Sequence, residues 1–484
     1  MSRVLRAIHD YEQSQPAATA LVSGGNVVNY ADLVRQVDAL SEILKDHAGK
    51  CAGIALENSM AWVILDLACI QAGIVTVPLP PFFTAAQCEH ALQTAGAALL
   101  FTDKPGRDSG PVFITHGCPV WLESLSNEAV VLPAGTGKIT YTSGTTGEPR
   151  GVCLSQQGME QVAGSLLEVI GKQFATHTAA VLPLAVLLEN IAGCYATLMG
   201  GGCYDIQPQS GIGFSDGMIP DFGRLSSYLR ESQAQSCILV PELLRGLMQA
   251  LLQSKQGLPA MKLIAVGGSC VAPSLLEQAE RLGLPVYEGY GLSEAASVVA
   301  VNTPAQQLGG SVGKLLPHIE IDFAADGEIL LRQPAFLGYL GEARQGGSYP
   351  TGDLGMLDDE GYLYITGRKK NIIISSMGRN ISPEWPESEL LAQPQIAQTI
   401  VFGDADAELG ALIVPSSNRS DTSQLASAVA NANRQLPEYA QIRHWRVTTP
   451  FTIANQQLTG TGRPRRDVIL KANREQISQM TSAA

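Results

Sequence analysis

The chain has 484 residues, 45% of them hydrophobic and 16% charged, which suits a folded protein of two or more domains and excludes a disordered one. A formal net charge of −13 excludes the overall basic footprint of a nucleic-acid or anionic-membrane binder. Nine cysteines lie between Cys51 and Cys270 with no C-x-x-C pair, and seven histidines show no H-E-x-x-H spacing; reduced thiols in a cytoplasmic protein are expected, not a disulfide framework or zinc site. The opening residues from Met1 to Asp10 lack the long apolar core of a signal peptide. Helical spacing predicts a helix over 30–44, and residues 51–56 read as a buried strand. The most apolar stretch, 61–81, is interrupted by Asp66, Gln71, Pro78, Pro80 and Pro81 before it could span a bilayer. It reads as a helix over 59–72 ended by Gly73, then a strand over 74–79. A helix over 83–95 and a strand over 98–101 continue an alternation that predicts parallel sheets with helical crossovers.

After a strand-like lead-in at Lys138-Ile139 comes Thr140-Tyr141-Thr142-Ser143-Gly144-Thr145-Thr146-Gly147-Glu148-Pro149-Arg150-Gly151. Glycines let this backbone bend tightly and bring N–H groups to a ligand, hydroxyls add donors, and one cation completes a polyphosphate cradle. The usual P-loop pattern is not met: Ile139 follows Gly137-Lys138, and Leu132 stands where the first Gly belongs. The run resembles the phosphate loop Y-T-S-G-T-T-G-x-P-[KR]-G of the adenylate-forming superfamily, which includes acyl-CoA synthetases, peptide-synthetase adenylation domains and luciferase. Arg150 stands where that family usually carries Lys. The resemblance implies that Thr142, Ser143, Gly144, Thr145, Thr146, Gly147 and Arg150 hold the β- and γ-phosphates of ATP.

A helix is predicted over 155–170. The stretch Val181-Leu182-Pro183-Leu184-Ala185-Val186-Leu187-Leu188-Glu189-Asn190 resembles the family segment beside the acyl pocket, with Val186 at the usual aromatic or His position. No Asp occurs there to pair with a substrate ammonium, which disfavours an α-amino acid. Strands over 263–266 and 285–288 run into Gly267-Gly268-Ser269 and Gly289-Tyr290-Gly291-Leu292-Ser293-Glu294. The second resembles the family's Y-G-x-[ST]-E. By that likeness Gly268, Ser269, Tyr290 and Gly291 line the nucleotide, Ser293 lies near the α-phosphate, and Glu294 is a hard oxygen ligand for magnesium.

In Tyr349-Pro350-Thr351-Gly352-Asp353, the Asp353 carboxylate suits both ribose hydroxyls. A hairpin is predicted with its turn at 358–361. Thr366-Gly367-Arg368-Lys369-Lys370-Asn371 then resembles the family's domain boundary, with Arg368 reaching ribose or phosphate and Lys370 at the hinge. Pro383-Glu384 suits a helix start. Leu458-Thr459-Gly460-Thr461-Gly462-Arg463-Pro464-Arg465-Arg466 resembles T-x-x-G-K-x-x-R, with Arg463 in place of the catalytic Lys.

The implied fold is α/β: a large N-terminal domain of parallel-rich sheets flanked by helices, 1–368, and a small mobile α+β C-terminal domain, 371–484, hinged near Lys370. The implied reaction is activation of a carboxylic acid, a medium or long-chain fatty acid, by Mg-ATP as the acyl adenylate, then transfer to CoA, with Arg463, Glu294 and Ser293 as catalytic residues. Alternatives are transfer to the phosphopantetheine of an acyl carrier protein, or a nucleotide-binding relative impaired by arginines at 150 and 463. No membrane span and no nucleic-acid partner are expected.

Overall fold

The computed structural model describes residues 2–105, 110–142, 150–214, 220–374, 379–403, 408–417, 421–459 and 463–481. Among them, two nine-stranded sheets carry most of the chain. In one, Thr19–Ser23, Cys203–Asp205, His177–Ala179, Ser236–Leu239, Leu263–Val266 and Val286–Tyr290 lie side by side and parallel. In the other the parallel centre is Thr136–Thr142, Val75–Pro78, Cys51–Ala55 and Leu99–Thr102. Antiparallel strands close the edges of both sheets. The predicted α/β alternation is what the structure contains.

Local chemistry sets the helix ends. The helix Tyr30–Leu44 buries Tyr30, Leu33, Val37, Leu40 and Leu44, one per turn, on its inward face. It packs on Met60–Ala72, whose start is capped by the Ser59 hydroxyl accepting from the Trp62 N–H. Gly73 ends that helix at φ 72°, a left-handed position that suits glycine. Residues 60 to 69 are all buried, which accounts for the apolar stretch: it is a core helix, and no helix among the described residues is long and apolar enough to cross a membrane. The helix predicted over 83–95 begins later, at Ala85, because Thr84 and Gln87 form a reciprocal capping box.

After Val181–Leu187 the chain winds as a π-helix, Leu188–Tyr195, before the short α-helix Ala196–Met199. Glu189 is fully buried in it; its carboxylate accepts from the backbone N–H of Leu182 (2.9 Å) and the Tyr204 hydroxyl (2.6 Å). Gly193 makes room for that carboxylate, since a Cβ there would lie 2.5 Å from Glu189 Oε1.

Beyond the two large sheets, Glu320–Phe323, Glu328–Arg332, Tyr349–Leu357 and Leu363–Arg368 form an antiparallel sheet, with the predicted hairpin between the last two strands. A separate three-stranded sheet, Ile396–Phe402, Leu409–Pro415 and Ile442–Val447, packs with Glu384–Leu391 and Thr422–Asn433 around its own core. The Pro383-Glu384 helix start falls where the sequence puts it.

One polar cluster lies inside the apolar core. Lys138, 1% exposed, points its ammonium at Asp66 Oδ1 and Oδ2 (2.9 and 3.0 Å) and Asn190 Oδ1 (2.6 Å). Tyr195 donates to the same Asp66 carboxylate at 2.6 Å. The rings of Trp62 and Tyr195 stand 5.6 and 5.4 Å from the ammonium. Removing one partner leaves a buried charge uncompensated, which costs about 3–5 kcal/mol. Lys138→Met should therefore lower the urea unfolding midpoint by that equivalent, and the double variant Asp66→Leu/Lys138→Met should recover part of the loss. An unchanged midpoint for Lys138→Met would mean the pair carries no weight.

Candidate active site

The C-terminal ends of the parallel strands, the antiparallel sheet and the three-stranded C-terminal unit enclose a cavity of about 2210 Å³. Thr142, Arg150, Gly268, Ser269, Tyr290, Gly291, Ser293, Glu294, Asp353, Arg368, Lys370 and Arg463 all line it, so residues more than 300 positions apart in sequence share one space. Ser143, Gly144, Thr145, Thr146 and Gly147 lie outside the described residues. Their flanks do not: Thr142 and Arg150 are paired across the hairpin of Thr136–Thr142 and Arg150–Ser155 and open toward the cavity.

Asp353 is the polar centre. The Tyr290 hydroxyl donates to its Oδ2 at 2.8 Å, and Arg368 stands 3.4 Å from Oδ1. Burial raises the carboxyl above its ordinary value, while Arg368, Tyr290 and Arg463 pull it back toward the ionised form. Each oxygen keeps a further lone pair, so a diol can still bind. Gly352, at φ 75°, turns the chain so that its N–H meets Glu328 Oε1 at 2.9 Å and Asp353 faces inward. Gly291 is required by space: a Cβ there would lie 1.6 Å from the Ser297 carbonyl oxygen.

Two departures from the family pattern have local settings. The Arg150 guanidinium stacks 3.8 Å above the Tyr339 ring and pairs with Glu342 at 2.9 Å, a planar contact that a lysine could not reproduce. Arg463 reaches across from the C-terminal unit to donate to the Gly268 carbonyl at 2.8 Å. Solvent still reaches its guanidinium, but enclosure by the cleft pulls its pKa below the ordinary value, with Arg368 acting the same way. Asp353, Glu242 and Glu294 oppose that shift.

Glu294 accepts from the Tyr339 hydroxyl at 2.7 Å, and Tyr339 is 2.9 Å from the Tyr349 hydroxyl. Lys370 is exposed in the single turn Lys369–Asn371 that follows the antiparallel sheet. Tyr339 and Arg245, both on the cavity wall, were not legible in the sequence, because neither their spacing nor their neighbours mark them; Tyr349 and Glu288, also on the wall, border recognisable motifs but drew no role there. A second wall is formed by lining residues from 166–197 and 236–240, including Leu166, Ile170, Phe174, Val186 and Ala192. It carries no charged side chain; its polar groups include the hydroxyls of Thr178, Thr197 and Ser236, linked to one another at 2.7 and 2.9 Å.

The profile of the AMP-binding enzyme family matches residues 8–340, and that of the AMP-binding enzyme C-terminal domain matches residues 370–484. The chain belongs to the AMP-binding enzyme family. The long-chain-fatty-acid–CoA ligase of Mycobacterium bovis is 29% identical over 426 residues, 73% of this chain and 70% of that protein. The anthranilate CoA ligase AuaEII, solved with anthranoyl-AMP, superposes with a TM-score of 0.81 at 18% identity, covering 98% of this chain and 97% of that one. The O-succinylbenzoate CoA synthetase of Bacillus subtilis, solved with ATP and a magnesium ion, gives a TM-score of 0.75 at 24% identity over 95% and 98% of the two chains. The shared fold is α/β with a C-terminal domain, and acid–thiol ligase is the enzyme class these relatives define. The acids in their names differ, so a fatty acid does not follow from kinship.

Burial pushes the Glu288 carboxyl up to about 8, opposed by the Val271 N–H. Part of the side chain faces the cavity, but protein surrounds the carboxyl on most sides. Below that pH the group is neutral; above it a negative charge appears on the cavity wall. AMP affinity, measured by calorimetry, should fall roughly threefold to tenfold as pH rises through about 8. Glu288→Gln should remove that fall; an identical pH profile in the variant would exclude Glu288 as its source.

Proposed function

We propose that the protein activates an apolar monocarboxylic acid, a medium or long-chain fatty acid, by adenylation with Mg-ATP and passes the acyl group to CoA. The acid's carboxylate oxygen attacks the α-phosphorus of ATP, the bond to the β-phosphate breaks, and pyrophosphate leaves. A thiol then attacks the acyl carbon, loses its proton to solvent, and AMP departs. There is little covalent work for side chains, so positioning two anions and screening their charge supply the rate.

In this reading Thr142, Ser143, Gly144, Thr145, Thr146, Gly147 and Arg150 hold the β- and γ-phosphates. Asp353 takes the ribose diol, with Arg368 and Tyr290 fixing its ionised form. Gly268, Ser269 and Gly291 border the nucleotide, and Ser293 and Arg463 meet the α-phosphate. Glu294 suits a magnesium ion, which binds through one or two carboxylates together with phosphates and water, and which would offset phosphate charge. The C-terminal domain, 371–484, is taken to turn about Lys370 between the two half-reactions.

The observation that carries the substrate class is the uncharged wall lined by Leu166, Ile170, Phe174 and Val186. A second carboxylate buried there would lack a cation, which disfavours diacids, and an ammonium would lack a carboxylate. Pyrophosphate release measured across a panel of acids, with and without CoA, tests the proposal. Release with long alkyl acids and thioester formation with CoA are expected. Pyrophosphate release that CoA does not change, with no acyl-CoA formed, would point to a carrier-protein thiol as the acceptor. Arg463→Ala should cut adenylation roughly a hundredfold to a thousandfold while largely keeping ATP binding; unchanged adenylation would remove Arg463 from its role.

A further inference from the structure

The helix Pro241–Ser254 begins directly after the central strand Ser236–Leu239 and carries Arg245 in its second turn. The Arg245 guanidinium leaves its own domain. It donates to the carbonyl of Leu391, the last residue of the helix Glu384–Leu391, and to the carbonyl of Ile396 at 3.0 Å, the first residue of the strand Ile396–Phe402. Carbonyls at a helix C-terminus lack partners within the helix and lie at its negative end, so a guanidinium is well matched there.

The two carbonyls bracket Ala392, which is 4% exposed and packs among the apolar residues of the large domain, with Leu244, Leu247 and Leu275 in the same cluster. Nearby, Ser274 donates to the buried carboxylate of Glu389 at 2.6 Å. Arg463 is presented to Gly268 by the same C-terminal unit. Arg245, Ser274 and Arg463 therefore all tie the two parts of the chain in this one arrangement.

We propose that Arg245 is a positioning residue for adenylation: by gripping the backbone on both sides of Ala392 it holds the C-terminal domain where Arg463 enters the nucleotide site. The inference rests on the two-step reading above. Rotation about Lys370 would require the guanidinium to release both carbonyls, so its hydrogen bonds favour the arrangement seen here over the one that admits the thiol. Hydrogen bonds from a charged donor to carbonyls are strong enough for their loss to shift that balance roughly tenfold to a hundredfold.

The test separates the half-reactions in Arg245→Met and Arg245→Lys. Single-turnover pyrophosphate release without thiol should fall at least roughly tenfold in Arg245→Met and be partly restored in Arg245→Lys. Thioester formation from CoA and chemically prepared acyl adenylate should stay unchanged or quicken. Equal losses in both half-reactions, or no loss in either, would overturn the proposal. Small-angle X-ray scattering of the ligand-free protein needs no substrate: Arg245→Met should have a larger radius of gyration than the wild type, and identical scattering would count against the grip. If the wild type releases no pyrophosphate with any acid, the functional reading fails while scattering still decides the role of Arg245. Should Arg245→Met not fold, Arg245→Gln carries the same measurements.

Discussion

The buried ammonium of Lys138 is the point on which the large domain turns. It joins the strand Thr136–Thr142, the core helix Met60–Ala72 through Asp66, and the π-helix Leu188–Tyr195 through Asn190 and Tyr195. Those elements belong to different layers, and hydrophobic contact alone would let them slide. A charge withdrawn from water tolerates no such freedom, because each lost partner exposes it to a low-dielectric interior. One ion pair thereby sets the strand ending at Thr142 against the segment that borders the apolar wall.

The cavity resolves an apparent conflict of sign. A chain of net charge −13 binds a ligand that is itself strongly anionic in the proposed reaction. The fold gathers Arg150, Arg368, Lys370 and Arg463 around one space that also holds Glu242, Glu288, Glu294 and Asp353, so cations are offered at short range while more distant surface charge is screened. Each of the three arginines also has a protein partner: Tyr339 and Glu342 for Arg150, Asp353 for Arg368, and the Gly268 carbonyl for Arg463. These contacts hold the planar groups in place, which lowers the cost of ordering them around a nucleotide. Tyr339 serves twice, as the face under Arg150 and as the donor to Glu294, so it links those two charged side chains on the cavity wall.

Much of the scaffold could be read from the chain. The period of Tyr30, Leu33, Val37, Leu40 and Leu44 gives a helix with the observed bounds, and Ser59 and Gly73 mark the ends of the next. Boundaries slipped where a side chain captured the backbone, as at Thr84 and Gln87. The π-helical turn was invisible, because it depends on Glu189 finding donors in Leu182 and Tyr204. Within the site, Asp353, Glu294 and Arg463 stood in recognisable motifs. Tyr339 and Arg245 did not, since a tyrosine after Gly338 or an arginine in an amphipathic helix has no local signature of what it touches.

The sequence by itself determined the alternation of strands and helices over 30–101, the kin of the chain, and the residue types offered to a nucleotide. Those follow from periodicity, capping and short motifs, which act over a few neighbouring residues. Tertiary structure alone decided that Lys138 meets Asp66, that Tyr290 and Arg368 converge on Asp353, and that Arg245 grips the backbone around Ala392. Such contacts join residues from 15 to more than 150 positions apart. No local pattern encodes them, because the direction of a side chain acquires a partner only when whole sheets have packed.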